Sequence, residues 1–179
     1  VLNFCGGEFP VFDVEEEFEE IEIIDREVSE NYSQVKGQAW GKFAFEVAAA
    51  GGHHLAILGP PGVGKTLLAE RLPSILPKLT RSQALEVAAI KSASSRTSGL
   101  NFQPPFAAPH HTSSYTSLIG GGSGVPVIGL ITQAHRGVLF LDEAPEFATN
   151  VLDALRQPLE SGKVSISRRT FKLELPASF

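Results

Sequence analysis

Residues 59–66 read GPPGVGKT, and their types and spacing suit one task, gripping phosphate. The stretch satisfies G-x-x-x-x-G-K-[ST], the Walker A or P-loop pattern, at every fixed position, with Pro60, Pro61 and Val63 in variable places. Gly59, Gly62 and Gly64 let backbone N–H groups converge on phosphate oxygens, and the helix entered at Lys65, Thr66 and Leu67 presents its positive N-terminal end to them. Lys65 is suited to reach β- and γ-phosphates, and the Thr66 hydroxyl to coordinate Mg²⁺. A chance glycine-rich turn before a helix is the plain alternative. Four fixed positions matching at once, between an apolar run and a helical one, weigh against it.

A second signal lies 76 residues beyond Thr66, where VLFLDE ends an apolar run in two carboxylates. Asp142 is suited to hold Mg²⁺ through water, and Glu143 to orient and deprotonate an attacking water. Alone, this could be a strand end with two solvated acids. After a P-loop it reads as a Walker B strand, and the adjacent Glu points to ATP hydrolysis rather than a GTP switch. The pairs His53–His54 and His110–His111 do not suit a shared ion, because neighbours on an extended chain point to opposite faces; local structural or phosphate-proximal roles are favoured. No G-x-S-x-G elbow occurs, which argues against a hydrolase triad. Cys5 stands alone, which excludes an internal disulfide and a zinc site built on several cysteines.

These groups need elements to position them. Gln38 to Ala50 carries Trp40, Phe43, Ala44, Val47 and Ala48 at helical spacing, stopped by Gly51–Gly52. HLAIL, 54–58, suits a strand buried on both faces, and it delivers the chain into the glycine loop. TLLAERLPSIL resumes helical periodicity, and a further helix is expected over 83–91. Residues 93–129, rich in Ser, Pro and Gly, are too long for an idle loop and are expected to be functional or to contain a short strand and an inserted hairpin. GVLFLDE reads as a second buried strand. Residues 150–160 read as a helix capped by Asn150, with Gly162 beyond its end and Pro158 loosening the last turn. KVSISRRTFKLEL alternates Val164 and Ile166, then Phe171, Leu173 and Leu175, about a basic turn, which is a hairpin signature.

With 179 residues and 42% hydrophobic content, the chain can bury one sizeable core. Its apolar runs are far below the roughly 20 residues of a bilayer span, and the start VLNFCGGEFPVF has no basic leader region, so a cytoplasmic protein is expected. The absence of Met and the stop just after an alternating segment suggest a piece of a larger protein. The net charge of -5 conceals an asymmetry: residues 13–30 hold ten acids and one base, a balance of -9, and the rest holds ten acids and fourteen bases, +4. The acidic stretch reads as a solvated linker or as a partner-binding segment. Charge alone leaves a nucleic-acid partner open.

VKGQ (35–38), AAAGGHHLAILGPPGVGKT (48–66), FAAPHHTSS (106–114), LIGGGSG (118–124), AHRGVLFLDEAPEF (134–147) and LDALRQPLESGKVSISR (152–168) together resemble the magnesium-chelatase-like AAA+ ATPases of the bacterial YifB/ComM group. The resemblance implies an α/β fold, a P-loop NTPase (AAA+) three-layer sandwich with a parallel sheet and β-hairpin inserts. It implies that residues 1–30 are the tail of a preceding Lon-like domain and the acidic linker, and that 31–179 form a partial ATPase core, stopping before the sensor-1 strand and the lid. That strand sits, in the family, between the strands carrying the P-loop and VLFLDE, so the isolated chain is expected to hydrolyse ATP poorly.

The resemblance also assigns roles. Val35 and Gln38 would flank the adenine; Lys65, Thr66, Asp142 and Glu143 would form the ATP–Mg²⁺ site. The GGGSG region would be the tip of an insert within a helix, and the 163–175 hairpin would face the pore of a homo-oligomeric, hexameric ring. Arg168, Arg169 and Lys172 would then meet DNA backbone, since phosphate contact needs exposed cations and no sequence readout. A DNA helicase or branch-migration motor is the leading expectation. The ATPase subunit of a metal-inserting chelatase and a protein-remodelling module are the rivals. Two departures from the family pattern, at Pro104–Ala107 and at Ile128–Leu130, put pore or intersubunit contacts in doubt rather than ATP binding.

Overall fold

The computed structural model describes residues 31–94, 99–122, 127–167 and 172–179. Helix α1 spans Ala39–Gly51 and ends where Gly52, at φ +62°, returns its N–H to the Ala48 carbonyl. Its expected apolar stripe is corrected. Phe45, Ala48 and Ala49 are buried, whereas Trp40 is 86% exposed and Phe43 and Val47 are exposed too. Phe45 packs with Leu68 and Ala69 of the next helix, and no described element covers the Trp40 side. Apolar residues occupy most of this helix's circumference, so periodicity identifies the helix without selecting its buried face.

Helix α2, Lys65–Arg71, passes into a tight turn at Leu72–Ser74, where Pro73 cannot continue the hydrogen-bond ladder. Helix α3, Arg81–Ser94, starts with a reciprocal cap: the Thr80 N–H donates to Gln83 Oε1 at 2.9 Å, and the Gln83 N–H to Thr80 Oγ1 at 3.4 Å.

The expectation of a buried strand at HLAIL is also corrected. Residues 54–58 have no ladder partner among the described residues, and Leu58 is 95% exposed. A strand is made by its neighbours, and none flanks this segment. Between it and residues 137–141 lies an apolar slot of about 400 Å³, lined by Leu55, Ile57, Leu139, Leu141, Leu155 and Phe179 among others.

Strand β1, Phe106–Ala107, pairs in parallel with β4, Val138–Leu139, in the register Phe106 to Val138 and Ala107 to Leu139. Val138 and Phe140 donate their N–H groups to the carbonyls of Pro105 and Ala107, each at 2.8 Å. Gly137 permits this approach, because a Cβ there would overlap the Pro105 carbonyl. Phe106 stacks on Phe140 with ring centroids 6.1 Å apart. Phe106–Ala107 is thus a short strand within the irregular region 93–129, and it joins the parallel pair. The GVLFLDE strand is half-buried and shorter than expected, because a single described strand supports it.

The long irregular region does hold an inserted hairpin. Helix α4, Tyr115–Ile119, leads into β2, Gly120–Gly121, which pairs antiparallel with β3, Val127–Ile128, before α5, Leu130–Gln133. Beyond β4, the helix expected over 150–160 divides into α6, Thr149–Ala154, and α7, Arg156–Ser161. Asn150 does not cap it: Ala148 occupies the cap position and makes no side-chain hydrogen bond there. The break at Leu155 follows from Pro158, whose missing N–H leaves the Ala154 carbonyl without its helical donor. Strands β5, Lys163–Ser167, and β6, Lys172–Pro176, form the expected hairpin, with Val164 opposite Leu175 and Ile166 opposite Leu173. Val164 and Ile166 join Leu118, Ile131, Val151 and Leu155 in the largest core cluster. Among the described residues, no helix is long and apolar enough to cross a membrane.

Candidate functional site

The glycine loop rests on a small apolar cluster of Tyr32, Val35, Phe45, Leu68 and Ala69, with Ile57 and Phe140 packed against it. Tyr32 ties this platform together: its N–H donates to Ser74 Oγ at 3.1 Å and its hydroxyl to the Lys42 carbonyl at 3.0 Å. Burial pushes the Tyr32 phenol above its ordinary pKa, and the Glu46 charge adds to this. Gly62 and Gly64 adopt φ +79° and +86°, and a Cβ at either would meet nothing within 4 Å. Backbone conformation, not space, requires glycine there.

Of the residues expected beside a base, Val35 is buried, only 2% exposed, within the platform. Gln38 is exposed, holds a left-handed backbone at φ +55°, and donates its side-chain amide to the Val63 carbonyl inside the loop. Lys65 folds onto the loop, with Nζ donating to the carbonyls of Gly59 at 3.0 Å and Pro60 at 2.9 Å.

Thr66 and Asp142, 76 residues apart in sequence, meet directly: Thr66 Oγ1 donates to Asp142 Oδ2 at 2.9 Å. The other oxygen of Asp142 accepts from the Glu143 N–H at 3.0 Å. Glu143 itself has a left-handed backbone, φ +51° and ψ +46°, unusual for a residue with a long side chain. Such strain concentrates at functional sites.

Arg168 and Arg169 lie outside the described residues. Lys172 is exposed, with Nζ 3.4 Å from Glu174 Oε1, and Glu174 also approaches Lys163 at 4.0 Å. The charge of Lys172 is therefore shared with a carboxylate.

The residue-level reading missed two arrangements. His111 Nδ1 lies 3.9 Å from Glu143 Oε2. His135, buried, sits with Nε2 3.2 Å from Glu86 Oε2, while Arg136 Nε donates to the same oxygen at 3.0 Å. The first could have been found only from the parallel pairing of β1 and β4. The second joins residues about 50 positions apart that carry no motif.

A glycine loop entering a helix, a carboxylate from a parallel strand beside the loop's threonine, and the chain path between them define an α/β P-loop protein of AAA+ type. The chain belongs to the family described as magnesium chelatase, subunit ChlI, whose model matches residues 31–179. It is 48% identical over 160 residues to the uncharacterized protein YifB of Escherichia coli strain K12, covering 88% of this chain and 31% of YifB. It is 51% identical over 151 residues to the competence protein ComM of Haemophilus influenzae, covering 82% of this chain and 29% of ComM. The chain thus spans under a third of the length of these relatives. A solved structure of the complex between subunits BchI and BchD of magnesium chelatase aligns with TM-score 0.58 and 18% identity, over 84% of this chain and 50% of that one. At that identity the likeness concerns the fold.

Proposed function

We propose that the chain carries the nucleotide-binding and water-activating residues of an ATP-hydrolysing AAA+ motor module. The observation that carries this reading is the contact of Thr66 with Asp142, which brings the end of the glycine loop to the carboxylate strand. The loop N–H groups from Gly62 to Thr66 would bind the β- and γ-phosphates. Lys65 exchanges two neutral carbonyls for phosphate oxygens, a stronger charge-assisted partnership.

The donor set at this point fits Mg²⁺. A hydroxyl and a carboxylate oxygen already lie 2.9 Å apart, both hard oxygen donors. No group of three or more His, Cys, Asp or Glu that could hold a metal occurs among the described residues. An ion held by Thr66 and Asp142 would take its other ligands from phosphate and water, the habit of Mg²⁺ rather than of a fully protein-caged metal. Bound there, it would neutralise charge on the phosphates. Glu143, one residue on and turned by its left-handed backbone, accepts the proton of the attacking water.

The work done is proposed to be on DNA, within a ring of identical subunits and in the cytoplasm. The basis is the chain's likeness to ComM, a competence protein, and the β5–β6 hairpin with the basic sequence at its tip. The test is ATPase activity of the full-length protein with and without DNA. DNA stimulation that is lost in Arg168→Ala plus Arg169→Ala, with ATP affinity retained, supports the motor reading. An ATPase indifferent to DNA removes it.

A further inference from the structure

We propose that Gln38 is a positioning residue for the phosphate loop, pinning the peptide between Val63 and Gly64 so that the Gly64 N–H stays available to phosphate. This rests on the nucleotide-binding reading given above, and it assigns Gln38 to the phosphate end of the site rather than to the side of a base. The Gln38 side-chain amide donates to the Val63 carbonyl, 25 residues away in sequence. In a trans peptide the carbonyl and the N–H that follows it point in opposite directions, so a carbonyl held toward Gln38 turns the Gly64 N–H away from it. No described residue accepts a hydrogen bond from that N–H, which leaves it to an anion.

That peptide needs a holder. Gly62 and Gly64 stand on either side of Val63 at φ +79° and +86°, and glycine moves between left- and right-handed backbone at little cost. The freedom that lets the loop curve also lets the 63–64 peptide turn over, which would present a carbonyl where an N–H is wanted. A carbonyl oxygen repels phosphate. The carbonyls of Gly59 and Pro60 are occupied by Lys65 Nζ, which must leave them to reach phosphate. The bond from Gln38 comes from outside the loop, so it can persist while the lysine changes partners.

Gln38 is itself firmly mounted. Its carbonyl accepts the Lys42 N–H at 2.8 Å at the start of α1, and the Lys42 carbonyl accepts the hydroxyl of buried Tyr32 at 3.0 Å. Gly37 and Gln38 are left-handed in succession, at φ +71° and +55°. Such a backbone is uncommon for glutamine, and strain of this kind concentrates where a side chain has a task. Asn adopts it more readily but is one methylene shorter, and Gly has no side chain to reach Val63. The exposed side chain of Gln38 therefore joins a rigid platform to the most pliable part of the loop.

The test measures, for the full-length protein, the affinity for ATP, the affinity for inorganic tripolyphosphate by displacement of a fluorescent ATP analogue, and the thermal midpoint. Gln38→Met keeps the length and removes the donor; Gln38→Gly removes the side chain and the backbone strain together. Both are expected to weaken ATP and tripolyphosphate by the same factor, about 3- to 10-fold, the loss of one solvent-exposed hydrogen bond. Gln38→Gly is expected to do so with its midpoint within about 2 °C of wild type, because relief of strain offsets the lost bond. A loss for ATP with tripolyphosphate unaffected would overturn the proposal in favour of direct contact with the base. Affinities that fall only in step with a falling midpoint in both variants would overturn it in favour of a merely structural residue. If Lys65→Ala loses both ligands while the Gln38 variants bind as wild type does, the positioning role falls and the nucleotide reading stands. If the wild-type protein binds neither ATP nor tripolyphosphate, both fall.

Discussion

The N–H of Ser178 donates to Nδ1 of His135 at 3.0 Å, and the Arg136 N–H donates to the Ser178 carbonyl at 2.7 Å. The segment after the β5–β6 hairpin is thereby fastened to the residues that lead into β4. With Nδ1 accepting, the ring proton lies on Nε2, toward Glu86. Burial holds the His135 imidazole below its ordinary pKa of 6.5, and the Arg136 charge opposes protonation as well, although Glu86 pulls the other way. The unfolded chain therefore takes up this proton first as pH falls. The stabilisation is fully present above about pH 6.5 and is lost below it, down to the lower folded pKa. Hydrogen bonds from Arg136 and His135 hold Glu86 below 4.5, so its contribution is lost in the same direction at lower pH. The thermal midpoint is expected to fall between pH 7.5 and 5.5, and His135→Gln is expected to flatten that slope. A slope unchanged by the substitution would remove His135 as its source.

Nucleotide affinity should divide cleanly between two residues. Lys65→Ala is expected to weaken ATP binding at least about tenfold with or without Mg²⁺, since the charged contact to phosphate is lost. Asp142→Asn is expected to leave metal-free binding unchanged and to abolish the gain that Mg²⁺ confers. Titration of a fluorescent ATP analogue, with and without Mg²⁺, checks both; retained Mg²⁺ enhancement in Asp142→Asn would place the ion elsewhere.

Gly137→Ala is expected to be destabilising by about 1–3 kcal/mol, because its methyl would enter the Pro105 carbonyl and part β1 from β4. Urea denaturation reads the difference. A variant as stable as wild type would show that the pairing yields without cost.

Glu143 pays for its orientation in backbone strain. Glu143→Gly should relieve it and raise the thermal midpoint relative to Glu143→Ala, which keeps the Cβ, by about 2–4 °C for each kcal/mol recovered. Both variants are expected to lose hydrolysis. No difference in midpoint between them would mean that the left-handed conformation is not strained.

How much of this was legible in the sequence depended on whether a local pattern or a distant partner set the outcome. The glycine loop, α2 and the β5–β6 hairpin followed from spacing and turn chemistry, which act over a few residues, whereas the inserted hairpin was one of two readings of an irregular region too long for an idle loop. The buried face of α1 did not, because Leu68 and Ala69 choose it and both faces are apolar. HLAIL has the composition of a strand, but a ladder needs a neighbour, and composition cannot supply one. Asn150 had the right chemistry for a cap, yet the helix begins one residue earlier. At the site, Thr66 and Asp142 were picked out by motif alone, and the structure places Thr66 Oγ1 2.9 Å from Asp142 Oδ2. The facing of His111 to Glu143 came from register, which depends on a strand only two residues long that no periodicity could reveal.

The segment 54–58 and strand β4 share no backbone hydrogen bond among the described residues. The phosphate loop and the carboxylates are joined instead by side chains: Phe140 against the platform under the loop, and Thr66 on Asp142. Side-chain joints yield more readily than ladders, so the stiffness of this site is borrowed from whatever bridges it. A nucleotide touching both halves would act as a brace, and its departure would return the compliance, which makes the gap between the halves the coordinate along which binding energy can become displacement.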